Sequence, residues 1–298
     1  MSHRFPLQYK IVTFLKCVAL MSSLAVFLAC SFSPVAPATP AATSLPSNTS
    51  IPVPADTATS APVGTSTTVP TSTSAPSQAS IPVSAPPIQL VIPAGLATSA
   101  SAQTIDATSC TDECYNTPAY LEITFEGYGG DISVYPAVQY AAENPGAAYS
   151  IQQLKEILLG KISLSQEDAL PVIPDAHAAQ VFASQEKIIH FDGGSGLRFV
   201  TQYQSDVRPV NNEQLFYLFQ GLSRDGRYYI LARLWTTLPF LPADANTDSP
   251  VPAGGIPFSM SNDNYIQQIT DLINAAPPDQ FNPSLNTLDS LIQSISTQ

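Results

Sequence analysis

The residues best suited to covalent or metal chemistry are Cys110 and Cys114, which are separated by three residues. In an oxidising compartment this spacing predicts a short-loop disulfide, whose stabilising effect is modest because the closed loop is small. A pair of free thiols is an alternative interpretation. A metal or redox pair is the third, but the histidines His177 and His190 come much later in the chain and no methionine cluster lies nearby.

Three other patterns invite a catalytic or ligand-binding interpretation, and each has a simpler structural one. The glycine-rich stretch at 192–196 lacks the lysine and helix of a phosphate loop and the spaced carboxylates of a calcium loop, so it predicts a hairpin turn. Ser184 and Lys187 match S-x-x-K but lie between strand signals, whereas the motif needs a helix. His177 and His190 lack further ligands at metal-site spacing. The sequence therefore predicts no catalytic residue, no metal site and no cofactor.

A candidate ligand surface is offered by aromatic residues on one predicted strand. Tyr228, Tyr229 and Trp235 would suit a sugar or a peptide, although packing in the core also explains them. The chain is rich in carboxylates, but no spacing singles out a pair for general acid–base catalysis.

The N-terminal segment predicts export. Arg4, Lys10 and Lys16 precede an apolar run at 17–29, which is the order of a signal peptide. The run has about 13 residues, whereas a spanning helix needs roughly 20. Its Leu-Ala-Cys ending resembles the lipobox of bacterial lipoproteins, and the resemblance implies cleavage before Cys30 and acylation of that cysteine. Several acyl chains would give a stable anchor. Plain secretion and an uncleaved anchor are the alternatives.

Composition divides the rest of the chain into two parts. Residues 31–104 consist mainly of Pro, Ser, Thr, Ala and Val, with Asp56 as the one charged residue. Such a segment buries too little apolar surface to fold, and its prolines favour extended polyproline geometry. We therefore expect a signal peptide at 1–29, a lipidated, disordered stalk at 30–104 and one globular domain at 105–298.

Charge excludes some partners. From Cys30 onward the chain has 8 basic and 23 acidic side chains, a formal charge of −15. Such a protein repels phosphate backbones, so nucleic-acid binding is not expected. It also has no basic patch for anionic lipid. Membrane contact is expected through the lipid on Cys30, either on the outer face of the bacterial cell membrane or in the outer membrane.

The globular segment predicts an α+β fold, with an antiparallel sheet of hairpins flanked by helices. Alternating or apolar runs predict strands at 120–126, 132–135, 179–183, 187–191, 197–203, 214–222 and 227–238. A capping box of Ser150 and Gln153 predicts a helix that ends at Gly160. Two further helices are expected at 262–273 and after Ser284.

Three stretches carry a resemblance to a known kind of domain: FDGGSGLRFVTQY at 191–203, NNEQLFY at 211–217 and FQGLSRDGRYY at 219–229. They resemble an uncharacterised domain of stalked lipoproteins from filamentous Chloroflexi-type bacteria. The resemblance extends from about 119 onward, implies export and brings no catalytic residues. At the level of fold alone, hairpins ending in helices are similar to the PsbP/Mog1 group, an analogy that does not transfer function.

These observations favour a surface-tethered, non-enzymatic binding or interaction module for an envelope ligand or protein. One alternative is an extracytoplasmic hydrolase acting on glycan or peptide. The other is a structural protein of the cell envelope, in which the stalk matters more than the globular domain.

Overall fold

Strands dominate the structure, a computed structural model that describes residues 79–109, 116–163, 170–173 and 178–298. In chain order the strands are β1 (Ile81–Ala85), β2 (Ile88–Ile92), β3 (Ser99–Ile105), β4 (Tyr120–Glu126), β5 (Gly130–Pro136), β6 (Ala179–Phe191), β7 (Gly194–Gln204), β8 (Phe216–Ser223), β9 (Tyr228–Trp235) and β10 (Ser296–Thr297). The helices are α1 (Ala137–Glu143), α2 (Pro145–Leu158), α3 (Tyr265–Ala275) and α4 (Leu285–Gln293).

Seven of the strands form one antiparallel sheet, in the order β3-β4-β5-β9-β8-β7-β6. The hairpin of β1 and β2 forms a second sheet with the C-terminal strand β10. The predicted α+β class, with an antiparallel sheet of hairpins flanked by helices, is confirmed.

Helices pack on both faces of the large sheet. We name these faces after the helices that cover them. On the α3/α4 face, buried sheet residues such as Ile132, Phe219 and Ile230 pack in one cluster with apolar residues of α3, α4 and β2. On the α1/α2 face, Phe199 and Leu231 pack with residues of α1 and α2. Two separate apolar cores therefore lie on either side of the sheet, as the two-sided strand pattern predicts.

The hairpin turn predicted at 192–196 is present. Asp192 and Gly193 link β6 to β7, and Gly193 has a φ of 92°, a conformation that glycine adopts without steric cost. The two strands predicted at 179–183 and 187–191 form the single strand β6. The pairing of β6 with β7 shifts register at two places. These irregularities interrupt the side-chain alternation along β6, which is why the sequence pattern indicates two separate strands.

The N-terminus of α2 differs from the prediction. The helix begins at Pro145, and the side chain of Asn144 accepts a hydrogen bond from the Ala147 N–H at 3.0 Å. Ser150 is buried within the helix, so the predicted capping box is wrong. Proline at the first helical position after an asparagine cap is the signal that prevails here. The helix predicted after Ser284 is confirmed, with that serine as its cap.

The predicted boundary at 104 must be corrected, because residues 81–105 form three strands. Ile88, Leu90 and Ile92 alternate with exposed residues and are buried against the α3/α4 core. The partner of β2 besides β1 is β10, at the far end of the sequence, so local composition gives no sign of this pairing. The signal peptide at 1–29 and stalk residues 30–78 lie outside the described residues.

Candidate functional site

A pocket of about 380 Å³ opens on the α1/α2 face of the sheet. Small-ligand pockets typically measure about 300–1,000 Å³. The lining residues come from the ends of four neighbouring strands and from one short segment: Gly130, Asp131, Val172, Tyr203, Phe216, Leu218, Leu231, Arg233 and Trp235.

Three aromatic rings form a continuous apolar strip in this pocket. Phe216 and Trp235 are directly paired across β8 and β9, and their rings meet edge to face with centroids 5.7 Å apart. On the other side, Phe216 stacks with Tyr203 of β7 at 6.0 Å and 13°. Both contacts lie within the usual range for aromatic pairs. The strip therefore follows from strand register, which places one ring on each of three adjacent strands.

An ion pair borders the aromatic strip. Arg233 and Asp131 are cross-strand partners on β9 and β5, and a guanidinium nitrogen lies 3.1 Å from a carboxylate oxygen. The side chain of Arg233 is 48% exposed, and that of Asp131 is 17% exposed. Asp131 also accepts a hydrogen bond from the Ser133 hydroxyl. The described part of the pocket thus presents one cation and one anion close together at its wall.

The tryptophan is held in place and yet remains open to solvent. The side chain crosses Gly129 so closely that a Cβ atom there would lie 2.4 Å from the indole Cδ1. Tyr128 donates a hydrogen bond to the Trp235 carbonyl at 2.7 Å. Trp235 is nevertheless 45% exposed. Within the part of the chain that the structure describes, its indole N–H makes no hydrogen bond.

The three aromatic residues proposed from sequence do not come together. Trp235 lines the pocket, but Tyr229 has no exposed surface and donates a hydrogen bond to Gln220 within the α1/α2 core. Burial raises the pKa of the Tyr229 hydroxyl well above its ordinary value. Tyr228 points to the opposite face, with the Arg227 guanidinium over its ring. Tyr229 and Tyr228 are therefore not part of this surface.

The sequence interpretation missed Tyr203 and Phe216 as partners of Trp235. The alternation of Phe216 and Leu218 in β8 does place Phe216 on the correct face. What the local pattern lacks is register, since pairing of Phe216 with Trp235 depends on the turn between β8 and β9. Tyr203 depends on a second hairpin, between β7 and β8, in the same way.

The α3/α4 face contains a charged cluster of a different kind. The carboxylate of Asp289 on α4 accepts hydrogen bonds from Arg198 at 3.1 and 3.2 Å, from Lys187 at 2.9 Å and from the Tyr217 hydroxyl at 3.1 Å. Arg198 and Asp289 are 4% and 5% exposed. Burial is the main cause that raises the pKa of Tyr217. With four donors on one nearly inaccessible carboxylate, this cluster fastens α4 to the sheet.

Ser184 and Lys187 confirm the structural interpretation of the S-x-x-K match. Both lie on β6, where the Ser184 hydroxyl donates to the Val200 carbonyl and Lys187 pairs with Asp289. His190 is an exposed residue of the same strand, paired with Ser195. Across the described ranges, no group of three or more His, Cys, Asp or Glu residues is placed to hold a metal ion. Cys30, Cys110, Cys114 and His177 lie outside those ranges.

One loop has the oxygen-rich spacing of a calcium site, with Asp244, Asn246 and Asp248 at alternate positions. The Asp244 carboxylate, however, accepts hydrogen bonds from the Asn246 N–H and the Ser249 hydroxyl. These bonds lower the pKa of Asp244, with the Ser249 bond as the main cause. The twelfth position, where a calcium loop has glutamate, is Gly255. The loop is therefore explained by its own turn, and Trp235 and its neighbours remain the best candidate site.

No protein-family model, curated protein or solved structure matches this chain. In addition, none of the helices in the described ranges is long and apolar enough to cross a membrane.

Proposed function

We propose that the protein is an extracytoplasmic lipoprotein whose folded part binds an envelope ligand in the pocket at Trp235, without catalysing a reaction. The observation that carries this proposal is the half-exposed tryptophan, fixed between Gly129 and Phe216 at the mouth of a pocket. Neither apolar core includes this ring, so core packing does not account for it. A concave, mainly apolar site with a few convergent polar groups is the usual form of a ligand site.

The alternative of a hydrolase is less well supported by the residues around the pocket. Hydrolysis of a glycan by the common route needs two carboxylates that flank the scissile bond. Asp131 is the one carboxylate among the described residues that line this pocket, and Arg233 is paired with it. The lining residues that the structure describes include no Ser, Cys or His, so none of those described would serve as a nucleophile with its base.

The test is retention of envelope material by the purified full-length protein. Wild type should retain a specific component, and Trp235→Ala should lose it. Tyr149→Ala is the matched control, because Tyr149 is an aromatic residue of α2 that is 64% exposed and is not among the described lining residues of the pocket. Equal retention by wild type and Trp235→Ala would refute the binding site and favour a structural envelope role. Release of shortened products from the retained material would favour the hydrolase.

The membrane anchor is a separate part of the proposal. It is supported by the basic N-terminus, the short apolar run and the Leu-Ala-Cys ending. Mass spectrometry of the mature protein should find acyl chains on an N-terminal Cys30. The variant Cys30→Ala should appear in the medium or stay unprocessed. An unmodified N-terminus in the wild-type protein would refute the anchor.

The disulfide between Cys110 and Cys114 also stays a prediction. Thr108 and Thr117 on either side of this segment form a two-way hydrogen-bonded pair, with both N···O distances 2.9 Å. Alkylation of the unreduced mature protein should label neither cysteine, and reduction should expose both. Labelling of both without reduction would favour free thiols.

A further inference from the structure

The aromatic strip at the pocket matches one face of a sugar ring. A pyranose presents a patch of C–H groups on its ring face and hydroxyl groups around its edge. The exposed part of Trp235 continues into Phe216 and then Tyr203, so the strip is long enough for more than one ring. An aromatic ring with a free N–H at its edge offers apolar contact and a hydrogen-bond donor together.

The polar groups beside the strip match the edge of the same ring. Arg233 is two residues from Trp235 on one face of β9, which places the two side chains about 7 Å apart. The Arg233 guanidinium supplies donors, and the Asp131 carboxylate, 3.1 Å away, supplies acceptors. Each sugar hydroxyl both donates and accepts. Arg233 can therefore donate to one sugar hydroxyl while Asp131 accepts from the next one. A ligand group that only accepts hydrogen bonds could use Arg233 but not Asp131.

Charge narrows the choice of ligand further. Among the described lining residues, Arg233 and Asp131 are the two charged side chains and neutralise each other, so neither a cation nor an anion gains a free counter-charge from them. Residues 105–298 contain 8 basic and 22 acidic side chains, a formal charge of −14, which repels anions at long range. A cationic ligand would have to displace Arg233 from Asp131. A neutral, hydroxyl-rich ligand meets neither cost.

We propose that this pocket binds a neutral pyranose saccharide, with a ring on Trp235 and hydroxyls on Arg233 and Asp131. The proposal rests on the proposed function, in that it names the ligand class of the same pocket. A proline-rich peptide is the main competitor, because aromatic grooves also bind such segments. A proline residue has a carbonyl acceptor but no backbone N–H donor. A proline-rich segment would therefore leave the Asp131 carboxylate without a hydrogen bond from the ligand, and the observations favour the saccharide.

Trp235 makes a direct experiment possible, since it is the one tryptophan of the chain. The full-length protein in detergent is titrated while tryptophan emission is followed. The probes are maltotetraose, cellotetraose and chitotetraose as neutral saccharides, tetragalacturonate as an acidic one and decaproline as a peptide. At least one neutral saccharide should change the emission in a saturable way, and it should bind more tightly than the acidic saccharide or the peptide.

Two arginine variants retain the tryptophan and test the geometry. Arg233→Ala should weaken binding of the active saccharide by about tenfold, the value of one charge-assisted hydrogen bond. Arg227→Ala is the matched control, because Arg227 is also exposed and paired with an aspartate, at the opposite end of β9. Binding that is unchanged in Arg233→Ala, or tighter for tetragalacturonate or decaproline, would overturn the proposal.

This experiment fails differently from the test of the proposed function. If envelope material is retained through Trp235 while every saccharide leaves the emission unchanged, the pocket is a binding site and the saccharide class is wrong. If Trp235→Ala retains envelope material as well as wild type does, the binding site itself is wrong. In that case the saccharides should also leave the tryptophan emission unchanged.

Discussion

The two faces of the large sheet each contain an ion pair, and the pairs differ in almost every physical respect. Arg198 on the sheet and Asp289 on α4 are nearly inaccessible and join the helix to the α3/α4 face. Arg233 and Asp131 on the α1/α2 face border an open pocket, with the arginine half exposed. A buried pair is costly to break, whereas an exposed pair contributes little to stability. The buried pair therefore stabilises the fold, whereas the exposed pair is available to bind a ligand.

Removal of the buried carboxylate should have the largest effect on stability. Asp289→Ala leaves Arg198 buried without its partner, and we expect the free energy of unfolding to fall by about 3–5 kcal/mol. Urea denaturation measures this change. Asp206→Ala, in a pair with Arg208 whose two side chains are both about half exposed, is the control and should leave the midpoint unchanged. A loss for Asp289→Ala as small as that of the control would contradict the assignment of this cluster to the fold.

Alkaline pH tests both faces at once, because each contains a fully buried tyrosine. Burial raises the pKa of Tyr217 on the α3/α4 face and of Tyr229 on the α1/α2 face above the unfolded value of 10.0. The unfolded chain then loses these protons before the folded one does. Stability should be fully present below pH 10 and should fall above it, by about 1.4 kcal/mol per pH unit for each tyrosine.

Denaturation at a series of pH values from neutral to alkaline measures this slope. Tyr217→Phe and Tyr229→Phe should each make the slope above pH 10 shallower. Tyr149→Phe, which changes an exposed tyrosine, is the matched control and should leave it unchanged. Equal slopes in all four proteins would show that the buried hydroxyls do not govern the alkaline transition.

Much of the α3/α4 and α1/α2 cores could be predicted from sequence, because their signals are local. The alternation at 120–126 gives β4 directly, and the apolar spacing after Ser284 gives α4. Strand β2 was missed even though Ile88, Leu90 and Ile92 alternate with exposed residues, and the second of its two partners, β10, lies about 200 residues further along the chain. The proline-rich composition around β2 also predicts a stalk. Proline does not exclude a strand here, because Pro82 lies in the edge strand β1, where proline is tolerated.

The pocket was only partly predictable, and the reason is register. Trp235 is named from sequence because aromatic residues on one predicted strand would suit a sugar or a peptide. Its true neighbours, Phe216 and Tyr203, are set by two hairpin turns, and one residue of slip in either would turn them to the other face. The burial of Tyr229 likewise depends on tertiary structure, because α1 covers its end of β9.

A smaller effect is expected where the pocket meets the β4–β5 turn. Gly129→Ala would place a methyl group against the indole of Trp235, while the backbone at Gly129 does not need a positive φ. The indole must therefore move, and the pocket changes shape while both cores stay intact. We expect a shift in tryptophan emission and a ligand affinity about tenfold lower, with little change in the denaturation midpoint. Gly146→Ala, at an exposed position of α2 without a positive φ, is the control and should leave the emission unchanged.

The smallest expected effect completes the comparison of the two ion pairs. In a double-mutant cycle, Asp131→Ala and Arg233→Ala should couple by about 0.2–1 kcal/mol, because solvent screens a half-exposed arginine. Denaturation of the two single variants and the double variant gives this coupling energy. The corresponding cycle for Asp289 and Arg198 should give several times more. A strong coupling at the pocket would mean that Arg233 and Asp131 stabilise the sheet and are less available to a ligand. A weak coupling, combined with lost ligand affinity in either single variant, would assign the pair to ligand binding. A polar pair that adds so little to the free energy of unfolding has its main effect on the affinity for the ligand.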